Sequence, residues 1–226
     1  SVYHAERADD QYQQSVALKV VEWCPSVSDL VSRFRAERQI LARLAHANIA
    51  RLLDGGQMQD GTPYLVMEHI TGTRIDYYCK ERRLTTRAKL KLMQQVCAAV
   101  QYAHQNLVVH RDLKPSNILV TEIDGRPAPR IIDFGIAKAI SGRLTEKTLF
   151  TEFRQLIGTP EYMSPEQAGL DSADIDTRSD IYSLGVLLYE LLTGCRPYDI
   201  GQGSLVDVVC ETNPERPSVK ATEVRT

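Results

Sequence analysis

Hydrophobic and polar positions change rhythm once along the chain. Before residue 70 the apolar runs are short. Ser15-Val16-Ala17-Leu18-Lys19-Val20-Val21 is interrupted only by Lys19 and predicts a mostly apolar strand. Residues 28–45 set Leu30, Phe34, Ile40, Leu41 and Leu44 at helical spacing among arginines and glutamates, with Ser28 placed to cap the helix. Residues 49–53 and 64–67 predict further strands, the second following a turn at Asp60-Gly61-Thr62-Pro63. After Gly72 the longer period dominates. Residues 84–105 predict a long amphipathic helix with Leu90, Met93, Val96, Cys97, Val100 and His104 on one side, and residues 177–192 a helix that is apolar all round and therefore buried. Short strands at 118–120 and 130–132 and a short helix at 204–210 complete the pattern. The shift near Ile70-Thr71-Gly72 predicts an α+β fold in two parts, a small antiparallel β part with one helix over residues 1–70 and a mainly helical part over 71–226.

Composition narrows the function classes. The 226 residues are 43% hydrophobic and 25% charged, ordinary for a globular protein and enough to bury a sizeable core. Lys plus Arg at 27 against Asp plus Glu at 29 gives −2, which argues against a dedicated nucleic-acid binder. Cys24, Cys79, Cys97, Cys195 and Cys210 are odd in number and contain no Cys-x-x-Cys pair, so reduced thiols and a cytoplasmic location are expected rather than disulfides or a zinc site. The apolar stretch from 181 to 192 is broken by Ser183, Gly185 and Glu190 and is too short to span a bilayer, so no membrane segment is expected within the chain. The start at Ser1, without an initiator Met, suggests a fragment.

Chemistry concentrates in His110-Arg111-Asp112-Leu113-Lys114-Pro115-Ser116-Asn117, followed sixteen residues after Asn117 by Asp133-Phe134-Gly135. A chance match to His, Arg, Asp, Lys and Asn at fixed places is about one in a few million per starting position. Physically the set supplies what phosphoryl transfer requires. It holds a carboxylate for an acceptor hydroxyl, an ammonium for phosphate charge, and an amide with a second carboxylate as oxygen ligands for magnesium. Taken singly these residues say little: Lys19 in an apolar strand would snorkel to solvent, and Asp-Phe-Gly alone would be a turn.

Together they resemble the eukaryotic-type protein kinase catalytic domain over nearly the whole chain, with its bilobal fold. The resemblance implies that Asp112 accepts or orients the substrate hydroxyl proton, that Lys114 contacts the transferred phosphate, and that Asn117 and Asp133 hold Mg2+. Val16-Ala17-Leu18-Lys19 is similar to the family's third-strand motif, placing Lys19 on the α and β phosphates of ATP. Glu37, eighteen residues later, would pair with it. His110 would stack in a column with Leu41, Leu52 and Phe134, anchored through Asp180. Tyr64-Leu65-Val66-Met67-Glu68-His69-Ile70 fits the hinge, with Met67 at the back of the pocket, the Glu68 carbonyl and Ile70 backbone meeting adenine, and Val2, Ala17 and Leu119 sandwiching the ring.

Gly158-Thr159-Pro160-Glu161-Tyr162-Met163-Ser164-Pro165-Glu166 resembles the end of an activation segment, with Ser164 where the family usually has Ala. Lys114 and a bridging Thr159 favour Ser/Thr over Tyr as acceptor in a protein substrate, and phosphorylation at Thr145, Thr148 or Thr151 would give Arg111 an anion to pair with. The Met-Ser-Pro-Glu-Gln run and residues 48–56 look most similar to bacterial members, which often continue into a membrane anchor. The glycine-rich phosphate loop would lie largely before Ser1 and the final helices after residue 226. Glu166 is then expected to lack its arginine partner, with weak folding and weak ATP binding by the segment alone. The alternatives are a pseudokinase-like binding module, disfavoured by the intact Lys19, Asp112, Asn117 and Asp133, and a small-molecule phosphotransferase, disfavoured by residues 158–166.

Overall fold

The computed structural model describes residues 1–6, 8, 13–21, 38–134, 160–168, 175–198 and 205–223. Its first sheet holds β1 (Val2–Glu6), β2 (Ser15–Val20), β3 (Leu52–Gln57) and β4 (Pro63–Glu68), all antiparallel, in the order β1-β2-β4-β3. Val2 lies opposite Lys19, Ala17 opposite Met67, and Lys19 opposite Leu65. Opposed residues share a face and alternate residues return to it, so Val2, Ala17, Lys19, Leu65 and Met67 occupy one face of the sheet. Leu65 on that face is fully buried.

The strand expected at 49–53 is displaced. Leu52 and Leu53 begin β3, but Ile49 makes an isolated parallel bridge to Ile131 and is 1% exposed. A buried isoleucine needs only an apolar partner, and here the partner belongs to the second sheet. β3 runs on through Gly55 and Gly56, where a Cβ at Gly56 would meet the Tyr64 ring at 2.9 Å. Of the helix expected at 28–45, residues 38–41 are helical and residues 22–37 lie outside the described residues.

The second sheet, β5 (Thr73–Arg74), β6 (Ile118–Ile123) and β7 (Arg126–Ile131), is antiparallel in that order. β7 contains Pro127 and Pro129, which an edge strand tolerates because its outer N–H groups need no ladder partner. α1 (Ile75–Glu81), absent from the hydrophobic pattern, precedes α2 (Thr86–Gln105), whose Thr85 cap accepts from the Ala88 N–H at 3.3 Å. The buried stripe of α2 is Leu92, Met93, Val96, Ala99, Val100 and Ala103. Leu90 and Cys97, expected inside, are exposed, because the small Ala99 and Ala103 let the helix approach its neighbours on another face.

α3 (Pro165–Ala168) is followed by α4 (Thr177–Thr193), the helix expected to be buried. Asp176 caps α4 by accepting from the Arg178 N–H at 2.8 Å, and Gly194 closes it with φ +82°, a left-handed conformation that glycine adopts without penalty. Leu184, Val186, Leu187 and Leu191 are buried, whereas Ile181 is 62% exposed, so α4 is not covered all round. α2 packs on β7 and on α4; α5 (Leu205–Glu211) and α6 (Pro217–Glu223) lie beyond, with α6 against α4. The architecture is α+β in two lobes, the first sheet above and the helices below, with a core continuous from Leu65 and Ile49 through Ile131 and Ile118 to Val96 and Leu187. Among the described residues no helix is long and apolar enough to cross a membrane.

Leu187 is fully buried between α4 and the core. Leu187→Ala is expected to cost about 2–5 kcal/mol, read as a lower urea midpoint with an unchanged slope.

Candidate active site

The loop after α2 is held from beneath. The backbone N–H groups of His110 and Arg111 donate to Asp180 Oδ2 and Oδ1, each at 2.8 Å, and His104 Nε2 donates to Oδ2 at 2.7 Å. Asp180 is 1% exposed and lies in the first turn of α4, where the helix dipole favours a carboxylate. Arg111 adopts φ +65°, a strained conformation for a side-chain-bearing residue, and the turn aims Asp112 out of the core.

Three polar side chains then converge. Lys114 Nζ lies 2.9 Å from Asp112 Oδ2, and Asn117 Nδ2 donates to Asp112 O at 2.8 Å and to Asp112 Oδ2 at 3.1 Å. Pro115 opens the short 3-10 turn Pro115–Asn117, its fixed φ suiting the first position of a helical turn. The Ile132 N–H donates to Asn117 O at 2.9 Å, tying this loop to the strand that leads into Asp133.

Asp133, also at positive φ (+64°), receives Lys19 Nζ from β2, an ion pair between the two lobes with Lys19 14% and Asp133 29% exposed. Phe134 is buried with its ring 4.7 Å from the His110 ring. Phe134, Leu41, Leu52, Met67 and Asp133 are among the residues around a cavity of about 20 Å³, room for no more than a water molecule. Burial holds the His110 imidazole below its ordinary pKa, although Asp180 and Asp112 pull the other way. The Asp112 N–H donates to His110 Nδ1 at 3.3 Å, which assigns the neutral ring's proton to Nε2.

The expected site residues thus fall into three groups. Asp112, Lys114 and Asn117 form one cluster, Lys19 and Asp133 form a second, and Val2, Ala17 and Met67 share the sheet face that carries Lys19. Ile70 follows β4 in the connection to the second sheet, and Leu119 on β6 lies opposite Arg130. The Glu68 side chain lies on the other face of β4 from Met67 and engages Arg130 of β7. Glu37 and Thr159, as well as Thr145, Thr148 and Thr151, lie outside the described residues.

Glu166, expected to lack its arginine partner, accepts from a serine. The Ser179 hydroxyl donates to Glu166 Oε1 at 2.6 Å; burial raises its pKa, but this bond, its own N–H, Ser164 and Arg178 outweigh burial and lower it overall. Arg196 pairs with Glu161 instead. Ser164 is fully buried, its N–H donating to Gln167 Oε1 at 3.1 Å and its hydroxyl to the same oxygen at 3.3 Å. His104, read in the sequence as part of an apolar stripe, is a partner of Asp180, and no local signal marks that role.

The oxygen donors fit a hard cation. With its Nδ2 committed to Asp112, Asn117 keeps Oδ1 as its ligand end, and Asp133 adds a carboxylate. An amide oxygen and a carboxylate suit an ion such as magnesium that takes its remaining ligands from phosphate and water.

Comparison with known proteins points the same way. The protein kinase domain family matches residues 1–220. The chain is 37% identical to the serine/threonine-protein kinase PrkC of Bacillus subtilis over 97% of its length, covering 32% of that protein. It is 39% identical to PknB of Mycobacterium leprae over 74% of its length and 38% identical to PkaA of Streptomyces coelicolor over 91%, covering 26% and 37% of those proteins. The chain therefore spans about a third or less of the first two relatives. The solved PknI kinase domain of Mycobacterium tuberculosis superposes with a TM-score of 0.68 at 25% identity, covering 98% of this chain and 77% of that one. Rad53 solved with AMP-PNP superposes at 0.73 and 23% identity, covering 99% and 53%, a likeness of fold alone.

The depressed pKa of His110 has a pH consequence. Below about pH 6.5, the ordinary histidine value, the unfolded chain gains a proton at residue 110 that the folded chain resists. The group's contribution is therefore complete above that pH and is lost as pH falls through the window beneath it. His110→Phe is expected to flatten the decline in unfolding free energy between about pH 7 and 5, measured by urea denaturation. An unchanged slope would contradict the assignment of a buried neutral imidazole.

Proposed function

We propose that this chain, which belongs to the protein kinase domain family, transfers the γ-phosphoryl group of ATP to serine or threonine hydroxyls of protein substrates. The observation that carries the proposal is the Lys19–Asp133 ion pair across the two lobes, beside the Asp112, Lys114 and Asn117 cluster. The pair joins a cation suited to phosphate with a carboxylate suited to a metal.

In this reading Asp112, as a carboxylate that only accepts, takes the proton of the acceptor hydroxyl, and Lys114 contacts the transferred phosphate. Lys19 would hold the α and β phosphates, with Glu37 proposed as its partner there. Asn117 and Asp133 would hold Mg2+, which would supply positive charge to offset that of the phosphates. Adenine lies between Val2 and Ala17 on one side and Leu119 on the other, meets the Glu68 carbonyl and Ile70 backbone, and is closed off behind by Met67. Thr159 links Asp112 to Lys114 and, with Lys114, favours Ser/Thr over Tyr. The acceptor is a protein docked against residues 158–166, and the reaction takes place in the cytoplasm.

The Asp112→Asn variant is expected to lower kcat by about 10²–10⁴-fold while leaving the melting temperature within a few degrees, because a neutral amide does not take the hydroxyl proton. Phosphoamino-acid analysis of a generic basic protein treated with the full-length enzyme should show phosphoserine and phosphothreonine; phosphotyrosine alone would refute the proposal.

Arg111 Nε is buried without a hydrogen-bond partner among the described residues. A half-buried cation with an unused donor suits an arriving phosphate. Replacing Thr145, Thr148 and Thr151 together by alanine should reduce both autophosphorylation and substrate turnover, and equal activity in the triple variant would remove this regulation from the account.

A further inference from the structure

One ion pair lies beside the proposed nucleotide site without belonging to its chemistry. Arg130 on β7 donates from Nη2 to Glu68 Oε2, at the last residue of β4, and reaches Ile49 O at 3.4 Å. Arg130 is 14% exposed. The same Glu68 oxygen accepts the Arg51 N–H at 3.2 Å, while the Glu68 N–H donates to Arg51 O at 2.9 Å. Glu68 is thus held by its backbone and by its side chain at the point where the first sheet gives way to the connecting segment.

The lower end of the strap is equally fixed. Ala50 N donates to Ile131 O at 2.9 Å, Ile131 N to Asn48 O at 2.8 Å, and Asn48 Nδ2 to Pro129 O at 2.7 Å. Arg130 and Leu119 are cross-strand partners, so they share a face of the second sheet. One guanidinium therefore stands next to the proposed floor of the adenine site, Leu119, and grips its proposed rim, Glu68.

Stability alone is a poor account of this arrangement. Arg130 Nε is buried with no hydrogen-bond partner among the described residues, and a half-satisfied buried cation adds little net folding free energy. What the pair does supply is a set distance between rim and floor.

We propose that Arg130 is a positioning residue for nucleotide binding: through the Glu68 carboxylate it holds the strand end whose backbone meets adenine at a fixed height above Leu119. The inference rests on the kinase reading above. Arg130 contacts no reacting atom, so its loss should weaken adenine recognition and spare the transfer step.

The test uses the full-length protein with the Arg130→Met and Arg130→Lys variants, titrated with the fluorescent nucleotide mant-ADP and assayed for transfer. Arg130→Met is expected to raise the mant-ADP Kd and the KM for ATP by about tenfold, with kcat and the KM for protein substrate changing less than about twofold. Arg130→Lys, which retains the charge, should recover part of the affinity. Glu68→Gln should weaken mant-ADP binding in the same direction, and combining it with Arg130→Met should add little, because both remove one interaction. Unchanged mant-ADP affinity in Arg130→Met, additive effects in the double variant, or a parallel loss of kcat and both KM values would overturn the inference while wild-type transfer leaves the kinase reading standing. Wild-type protein that neither binds mant-ADP nor transfers phosphate would overturn both.

Discussion

A single buried carboxylate organises the site. Asp180 is almost completely removed from water, a placement that costs several kcal/mol for an ion unless its oxygens are satisfied. Two backbone N–H groups, from His110 and Arg111, and the His104 imidazole satisfy them. The demand works in both directions: the loop needs Asp180 to hold its strained turn at Arg111, and the buried Asp180 oxygens need the loop's donors as partners. Because α4 is a long helix packed on α2 and α6, the loop from His110 to Asn117 is anchored on the helical core. Everything presented to solvent by Asp112, Lys114 and Asn117 is positioned from that fixed point.

The second organising feature is how the two lobes are joined. Asn48 and Ala50 are hydrogen-bonded to Ile131 through backbone groups, the Asn48 side chain reaches Pro129 O, the Arg130–Glu68 pair lies alongside, and Lys19 reaches down to Asp133. These contacts differ in character. Backbone bonds shielded by Ile49 and Ile131 are insensitive to ligand, whereas the Lys19–Asp133 pair is partly open to solvent and is made of groups that phosphate and a divalent cation would each attract.

Much of this could be read from residue order, and where it could not the reason is physical. The loop chemistry was legible because His110 to Asn117 are contiguous, so their spacing alone brings carboxylate, ammonium and amide within a few ångströms. Strands β2 and β4 were legible because half-buried strands carry β-branched and aromatic residues. β7 was only partly legible, since Pro127 and Pro129 argue against a strand unless it lies at an edge, and edge position is a property of the assembled sheet. The orientation of α2 was misjudged by a fraction of a turn: Leu90 and Cys97 look apolar enough to face inward, but the closest packing runs over Ala99 and Ala103. Glu166 accepts from Ser179, a pairing that the fold and not the local sequence sets.

Sequence alone therefore determined the chemistry available to this protein: which groups donate, accept and carry charge, and the two kinds of lobe that their periodicities build. Tertiary structure decided which of them meet. Lys19 and Asp133 are separated by more than a hundred residues, and no local propensity encodes their contact. His104 and Arg130 look in the sequence like unremarkable residues of a helix or strand. They acquire their roles only because folding encloses polar groups, and an enclosed polar group must find a partner.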